Sequence, residues 1–143
     1  TFTGFLKPDP EITLTIPSAT DKAISVGAYD TSTDKVASFS GRGFTRENNQ
    51  IKPDIVAPGV NIRSAATGGG TTVLSGTSMA TPFVTGSAAL MMEWGIVRGN
   101  DPYLYGEKIK AYLIRGAKHL PGYEQWPNKQ AGWGALCLRD GLV

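Results

Sequence analysis

A β-favouring tetrapeptide, Thr71-Thr72-Val73-Leu74, passes through Ser75-Gly76 directly into an apolar stretch that runs from Ser78 to about Trp94. This strand–turn–helix junction restricts the fold more than any other part of the chain. The run after the turn predicts one long helix packed in a core, with Gly95 as its stop. Where that helix begins, the sequence reads Gly76-Thr77-Ser78-Met79-Ala80-Thr81-Pro82. Backbone N–H groups at a helix N-terminus have no intrahelical acceptors and favour negative charge. A serine in that place has two readings. Its hydroxyl caps the helix, as serine commonly does, or it is a nucleophile whose oxyanion the helix N-terminus stabilises. Pro82 is expected in the first turn, where a missing N–H is tolerated.

The remaining segments place this junction in a sheet. Residues 12–16 alternate apolar and polar, which predicts a half-buried strand ended by Pro17. Ala23 to Tyr29 reads as a second strand, apolar enough to be buried on both faces. Shorter strands are expected over 36–40, 54–57 and 61–65, with Gly68-Gly69-Gly70 as a flexible tip. Glu107 to Ala117 puts Ile109, Tyr112, Leu113 and Ala117 on one helical face and Lys108, Lys110 and Arg115 elsewhere, an amphipathic surface helix. Ala135 to Leu138 is expected to form a last strand. This order predicts an α/β domain with a mainly parallel central sheet. Two good helices are too few to cover both faces of such a sheet, so further elements are expected upstream.

Several function classes are disfavoured. The net charge of +2, with no Lys/Arg run, gives no footprint for nucleic acid or an anionic membrane. Thr85, Ser87 and Glu93 interrupt the run from Phe83 to Trp94, which is too short and polar to span a bilayer. The lone Cys137 cannot form an internal disulfide. The chain opens at Thr1 without Met or a signal sequence and reads as a fragment or a processed product. Gly68-Gly69-Gly70-Thr71-Thr72 lacks the Lys-Ser/Thr ending of a phosphate loop. No zinc spacing is present, and no carboxylate pair stands out for glycoside chemistry. His119 follows the second helix, where it reads as a cation near the helix dipole. Its other reading is a catalytic base. Gly76-Thr77-Ser78-Met79-Ala80 approximates an α/β-hydrolase elbow, and Asp101 and His119 follow in that fold's chain order, though without the separate strands it places between them.

The whole string Gly76 to Pro82, followed by Val84-Thr85-Gly86-Ser87-Ala88-Ala89-Leu90, resembles the nucleophile segment of the subtilisin-like serine proteases. Val26-Gly27-Ala28, Ala37-Ser38-Phe39-Ser40 with Gly43, Lys52 to Val60, and Trp133-Gly134 to Leu138 resemble other segments of that family in the same order. The resemblance covers roughly residues 12–140. It implies the C-terminal portion of a subtilisin-like three-layer α/β fold, with residues 1–11 as the tail of a preceding inserted segment and 12–143 as the end of the catalytic domain. Phe83 stands where the family usually has a non-catalytic His. Phe83, the run Met91 to Val97 and Ala135-Leu136-Cys137 are similar to the clostridial branch that includes the Csp spore-germination proteases.

The resemblance implies that Ser78 is the acylated nucleophile and that its N–H is one oxyanion donor. It places the Thr77 hydroxyl beside that hole, Met79 on the leaving-group side, and Leu74, Ser75 and Gly76 along the substrate channel. The family's Asp, His and oxyanion Asn lie upstream of the segments matched here. The implied partner is therefore the N-terminal part of the same protease, with a pro-region and a protein substrate, in an extracellular or spore-associated setting. A degenerate, non-catalytic relative acting as a binding or signalling module is the other reading that the resemblance leaves open. No cofactor is required for the chemistry. The carbonyls near Ser18, Thr20 and Ala23, with Asp54, match a structural calcium or monovalent-cation site of relatives, and an ordinary turn is the alternative. Ile16-Pro17 falls where relatives often have a cis peptide.

Overall fold

The computed structural model describes residue 4 and residues 6–142, so the tail expected over 1–11 lies in part outside the described residues. Its centre is a parallel pair of strands, β1 (Val26–Asp30) and β3 (Ile55–Pro58), with Val26 opposite Ile55 and Tyr29 opposite Pro58. β2 (Lys35–Val36) turns back antiparallel on β1, giving the order β2-β1-β3. β4 (Ile62–Ala65) and β5 (Thr71–Leu74) form a separate antiparallel hairpin. The chain then enters α1 (Thr77–Met92), continues as a π-helical turn over Glu93–Val97, and forms α2 (Gly106–Arg115) and α3 (Leu138–Gly141).

β3 shows why the sheet region reads as continuous apolar sequence. Ile55 and Ala57 join a buried cluster with Ala28, Ala80, Val84, Met91, Ile109 and Leu113. Val56, between them, joins Leu120, Ala131 and Ala135 in a second cluster. A strand alternates its side chains between faces, so β3 is covered on both. Ala28, Ala57 and Ala80 are fully buried, and their small side chains let α1 lie close upon β1 and β3. Burying Met91, Ile55 and Leu113 contributes about 1.5–3 kcal/mol each.

Four expectations are corrected. Residues 12–16 form no strand: Ile16 is 91% exposed, and the segment is held to the 41–43 loop by Thr13 N–H to Arg42 O (2.8 Å) and Arg42 N–H to Thr13 Oγ1 (2.9 Å) rather than by a ladder. The strand expected over 36–40 is only Lys35–Val36. Ala135 makes single bridges to Val56 and Lys118 and no strand follows, because the chain turns into α3 at Leu138. Gly95 does not stop the helix but sits inside the π turn. A Cβ there would stand 2.9 Å from Leu104 Cδ2 and 3.1 Å from Asp101 O, so this glycine serves close packing and not termination. The Ile16-Pro17 peptide is cis, as are Lys52-Pro53 and Trp126-Pro127.

Candidate active site

The start of α1 is tied to the sheet by a relay of main-chain hydrogen bonds. Gly59 N–H donates to Tyr29 O of β1 (3.0 Å), Gly76 N–H to Gly59 O (2.8 Å), and Met79 N–H to Gly76 O (3.0 Å). The relay requires a glycine at 59, because a Cβ there would lie 2.5 Å from Ala28 Cβ and 3.0 Å from Gly76 O. Ser75 adds a side-chain strut, its Oγ accepting the Asn61 N–H at 2.9 Å. Gly76 is the N-cap residue, in a positive-φ conformation (φ 158°, ψ 163°) that favours glycine, and among the described residues no side chain caps the helix.

Ser78 is therefore the second residue of α1 and not its cap. It is exposed, and among the described residues its hydroxyl has no hydrogen-bond partner. Thr77 and Ser78, the first two helical residues, have no intrahelical acceptor for their N–H groups, and no described loop carbonyl takes that place. Met79 is half-buried and Leu74 is 52% exposed. A hydroxyl left free to meet a general base, beside backbone N–H groups without acceptors at a positive helix end, suits oxyanion-forming chemistry. Pro82 is the sixth residue of α1 and lies beyond the expected first turn. It offers no N–H to the Ser78 carbonyl four residues back.

A cavity of about 500 Å³ flanks this helix start, lined by Leu14, Pro17, Ser18, Phe39, Thr77 and Thr81 among others. Sequence reasoning missed Thr81 and Phe39 as wall residues. No local pattern points to them, and Thr13, Leu14 and Thr15 of the expected strand line the same cavity.

The other candidate base and acid lie in different settings. His119 is exposed and stacks flat on Trp126, with ring centroids 4.3 Å apart and planes 2° from parallel. Asp101 accepts hydrogen bonds from Lys108 Nζ (2.5 Å) and Tyr112 OH (2.8 Å). The Lys108 bond, then the Tyr112 bond, hold its carboxyl below the ordinary value of 3.8. Neither residue hydrogen-bonds the other or Ser78, so the structure does not assemble a Ser78/Asp101/His119 triad.

Of the four residues matched to a cation site, Asp54 and Ala23 meet two lysines, whereas Ser18 and Thr20 lie in an adjoining turn. Asp54 Oδ2 accepts from Ser25 N–H (2.7 Å) and Lys52 Nζ (2.7 Å), and Asp54 Oδ1 pairs with Lys110 Nζ (2.9 Å). The Ala23 carbonyl accepts from both Lys52 (3.0 Å) and Lys110 (3.2 Å). Ser18 donates its hydroxyl to Thr15 O (2.5 Å), and Thr20 N–H donates to Pro17 O (3.1 Å) in an adjoining turn. Burial pushes the Lys52 ammonium below the usual lysine value, and Asp54 draws it partly back. Among the described residues, no three His, Cys, Asp or Glu side chains converge as metal ligands, and no helix is long and apolar enough to cross a membrane.

Residues 8–134 match the model of the subtilase family. The chain is 37% identical to the serine protease AprX of Bacillus subtilis, covering 76% of this chain and 27% of that protein. It is 34% identical to the human membrane-bound transcription factor site-1 protease, covering 88% of this chain and 12% of that one. Among solved structures, the Clostridium perfringens CspB protease superposes with a TM-score of 0.92 at 49% identity, over 98% of this chain and 30% of that one. The self-cleaved protease domain of PatA superposes with a TM-score of 0.69 at 35% identity, over 89% of this chain and 43% of that one. The chain thus spans about a quarter or less of these curated relatives and under half of these structures.

Proposed function

The chain belongs to the subtilase family of serine proteases, and we propose that it is the nucleophile-bearing, C-terminal part of an endopeptidase catalytic domain. The observation that carries this reading is Ser78: exposed, without a hydrogen-bond partner among the described residues, and held at the start of α1 by the Tyr29–Gly59–Gly76 relay.

In this reading Ser78 Oγ attacks the scissile carbonyl. A histidine from the upstream part takes the serine proton, and an upstream aspartate orients that histidine. The Ser78 N–H and an upstream asparagine amide stabilise the tetrahedral oxyanion. Collapse expels the amine, protonated by the histidine, and leaves an acyl-enzyme on Ser78. Water, activated by the same histidine, then releases the acid. Leu74, Ser75 and Gly76 border the substrate strand, and the Thr77–Thr81 cavity accepts one of its side chains. The physical reason for a partner is surface. Phe83, Leu90, Met92 and Val97 on the outer side of α1 and its continuation are all more than 40% exposed, which is unusual for a finished monomer face.

The test is covalent labelling with a fluorophosphonate. The protease joined to its upstream part is expected to react at Ser78, and Ser78→Ala is expected to abolish labelling. The isolated chain is expected to stay unlabelled, because losing triad members leaves only residual catalysis. Rapid labelling of the isolated chain, or no labelling of the joined protein, overturns the reading. The second result favours a non-catalytic binding role.

A further inference from the structure

Lys110 delivers a positive charge from α2 into a three-oxygen cage. Its ammonium has three N–H donors and meets three acceptors: Asp54 Oδ1 at 2.9 Å, Asp21 O at 2.8 Å and Ala23 O at 3.2 Å. Two of the three lie on the loop before β1, almost ninety residues away in sequence, and the third lies at the entry to β3. Lys52, its side chain 2% exposed, occupies the other carboxylate oxygen and shares Ala23 O.

We propose that Lys110 is an internal cation: its ammonium takes the Asp54 carboxylate and the Ala23 carbonyl, two of the four residues that match a structural-cation site of relatives, and it removes that requirement from this chain. The donor chemistry argues the point. Hard cations such as calcium take six to eight oxygens with carboxylates free to coordinate. Here one carboxylate serves two ammoniums and a backbone N–H, and the cluster already carries a net charge of +1. A further cation would have to displace Lys110 and withstand Lys52. The arrangement also does something a bound ion would not. Because the charge sits on α2, filling the cage anchors that helix to the β1 and β3 entries.

The experiment is a melting series on the intact protease, stripped with chelator and held at constant ionic strength with choline chloride, against KCl and then CaCl₂. Wild type and Lys110→Arg are expected to melt together and to respond equally to either salt. Lys110→Ala is expected to melt at least about 3 °C lower, because a buried carboxylate loses one partner, and to regain half or more of that loss in KCl or CaCl₂. The proposal fails if Lys110→Ala melts with wild type, or if its response to both salts is no larger than that of wild type. A rubidium soak of wild-type crystals keeps the question decidable should the alanine variant not fold. No anomalous peak beside Asp54 supports the proposal, and a peak there overturns it.

Discussion

α1 and α2 pack against the same buried cluster, yet they are finished in opposite ways. α1 has 16 residues and no charged side chain. Its buried residues Ala80, Val84, Ser87 and Met91 form one stripe, while Phe83 (42% exposed) and Leu90 (53%) lie outside it. α2 is shorter, at 10 residues, and buries Ile109 and Leu113. Its other positions carry Glu107, Lys108, Lys110 and Arg115, which engage Lys22, Asp101, Asp54 and the Tyr112 ring respectively. An uncharged helix that leaves large apolar side chains exposed is unfinished as a surface, and one with a single apolar stripe and charges elsewhere belongs there. α2 is therefore complete against water, whereas α1 leaves large apolar side chains exposed to it. That contrast fits a chain covering 30% of the CspB protease structure it superposes on.

The comparison can be broken by substitution in the intact protease. The largest expected effect is at the first turn of α1. Ser78→Ala should lower kcat by about 10⁶-fold, the magnitude established for subtilisin itself, with Tm unchanged; a loss below tenfold in a peptide-hydrolysis assay would remove Ser78 from the chemistry. Next comes the uncovered side of α1. Leu90→Asp should destabilise the intact protease by about 3–5 kcal/mol in urea unfolding, as a charge buried without a partner does. A change under about 0.5 kcal/mol would show that this side faces solvent after all. Truncating the buried stripe of α2, Leu113→Ala, should cost about 2–4 kcal/mol whether or not the upstream part is attached.

The Asp101 pairing gives a smaller, pH-dependent effect. Its carboxyl is held below its ordinary 3.8 by Lys108 and then Tyr112. A depressed carboxyl contributes stability that is present above the unfolded value and fades as pH falls through and below about 4. Asp101→Asn should therefore melt lower than wild type at pH 7, with the gap narrowing steadily as pH falls below about 4; a gap that stays constant as the pH falls would mean that lost packing, not charge, was responsible. The smallest effect is expected on the outer face of α2, where exposed Ala111→Glu should change stability by less than about 0.5 kcal/mol.

Legibility in the sequence followed the range of the interactions involved. α2 was readable because its stripe and its charges repeat every three to four residues. β3 was readable as a short apolar run before Pro58-Gly59. The segment 12–16 was misread, since alternation records which side chains are apolar and not whether a neighbouring strand is there to pair with them. Gly95 was misread for a related reason. A glycine after an apolar run looks like a stop, but this one is required by Leu104 and Asp101 packing across the π turn. At the site, the string Gly76 to Pro82 was visible as a serine entering a helix, and only the structure shows Gly76, not Ser78, as the cap residue.

The sequence by itself determined the strand–turn–helix junction, the apolar helix behind it and the amphipathic helix that follows, because each is a pattern among residues a few positions apart. The tertiary structure decided what those elements meet. It set the Gly59 backbone against β1 and Gly76, left the Ser78 hydroxyl without a partner among the described residues, and brought Asp21, Ala23, Lys52 and Lys110 together around the buried Asp54 carboxylate. No local pattern relates Lys110 to Asp21. Their contact exists because α2 is held against the sheet by Ile109 and Leu113, and a buried carboxylate in that corner requires positive charge from whichever element the packing brings near.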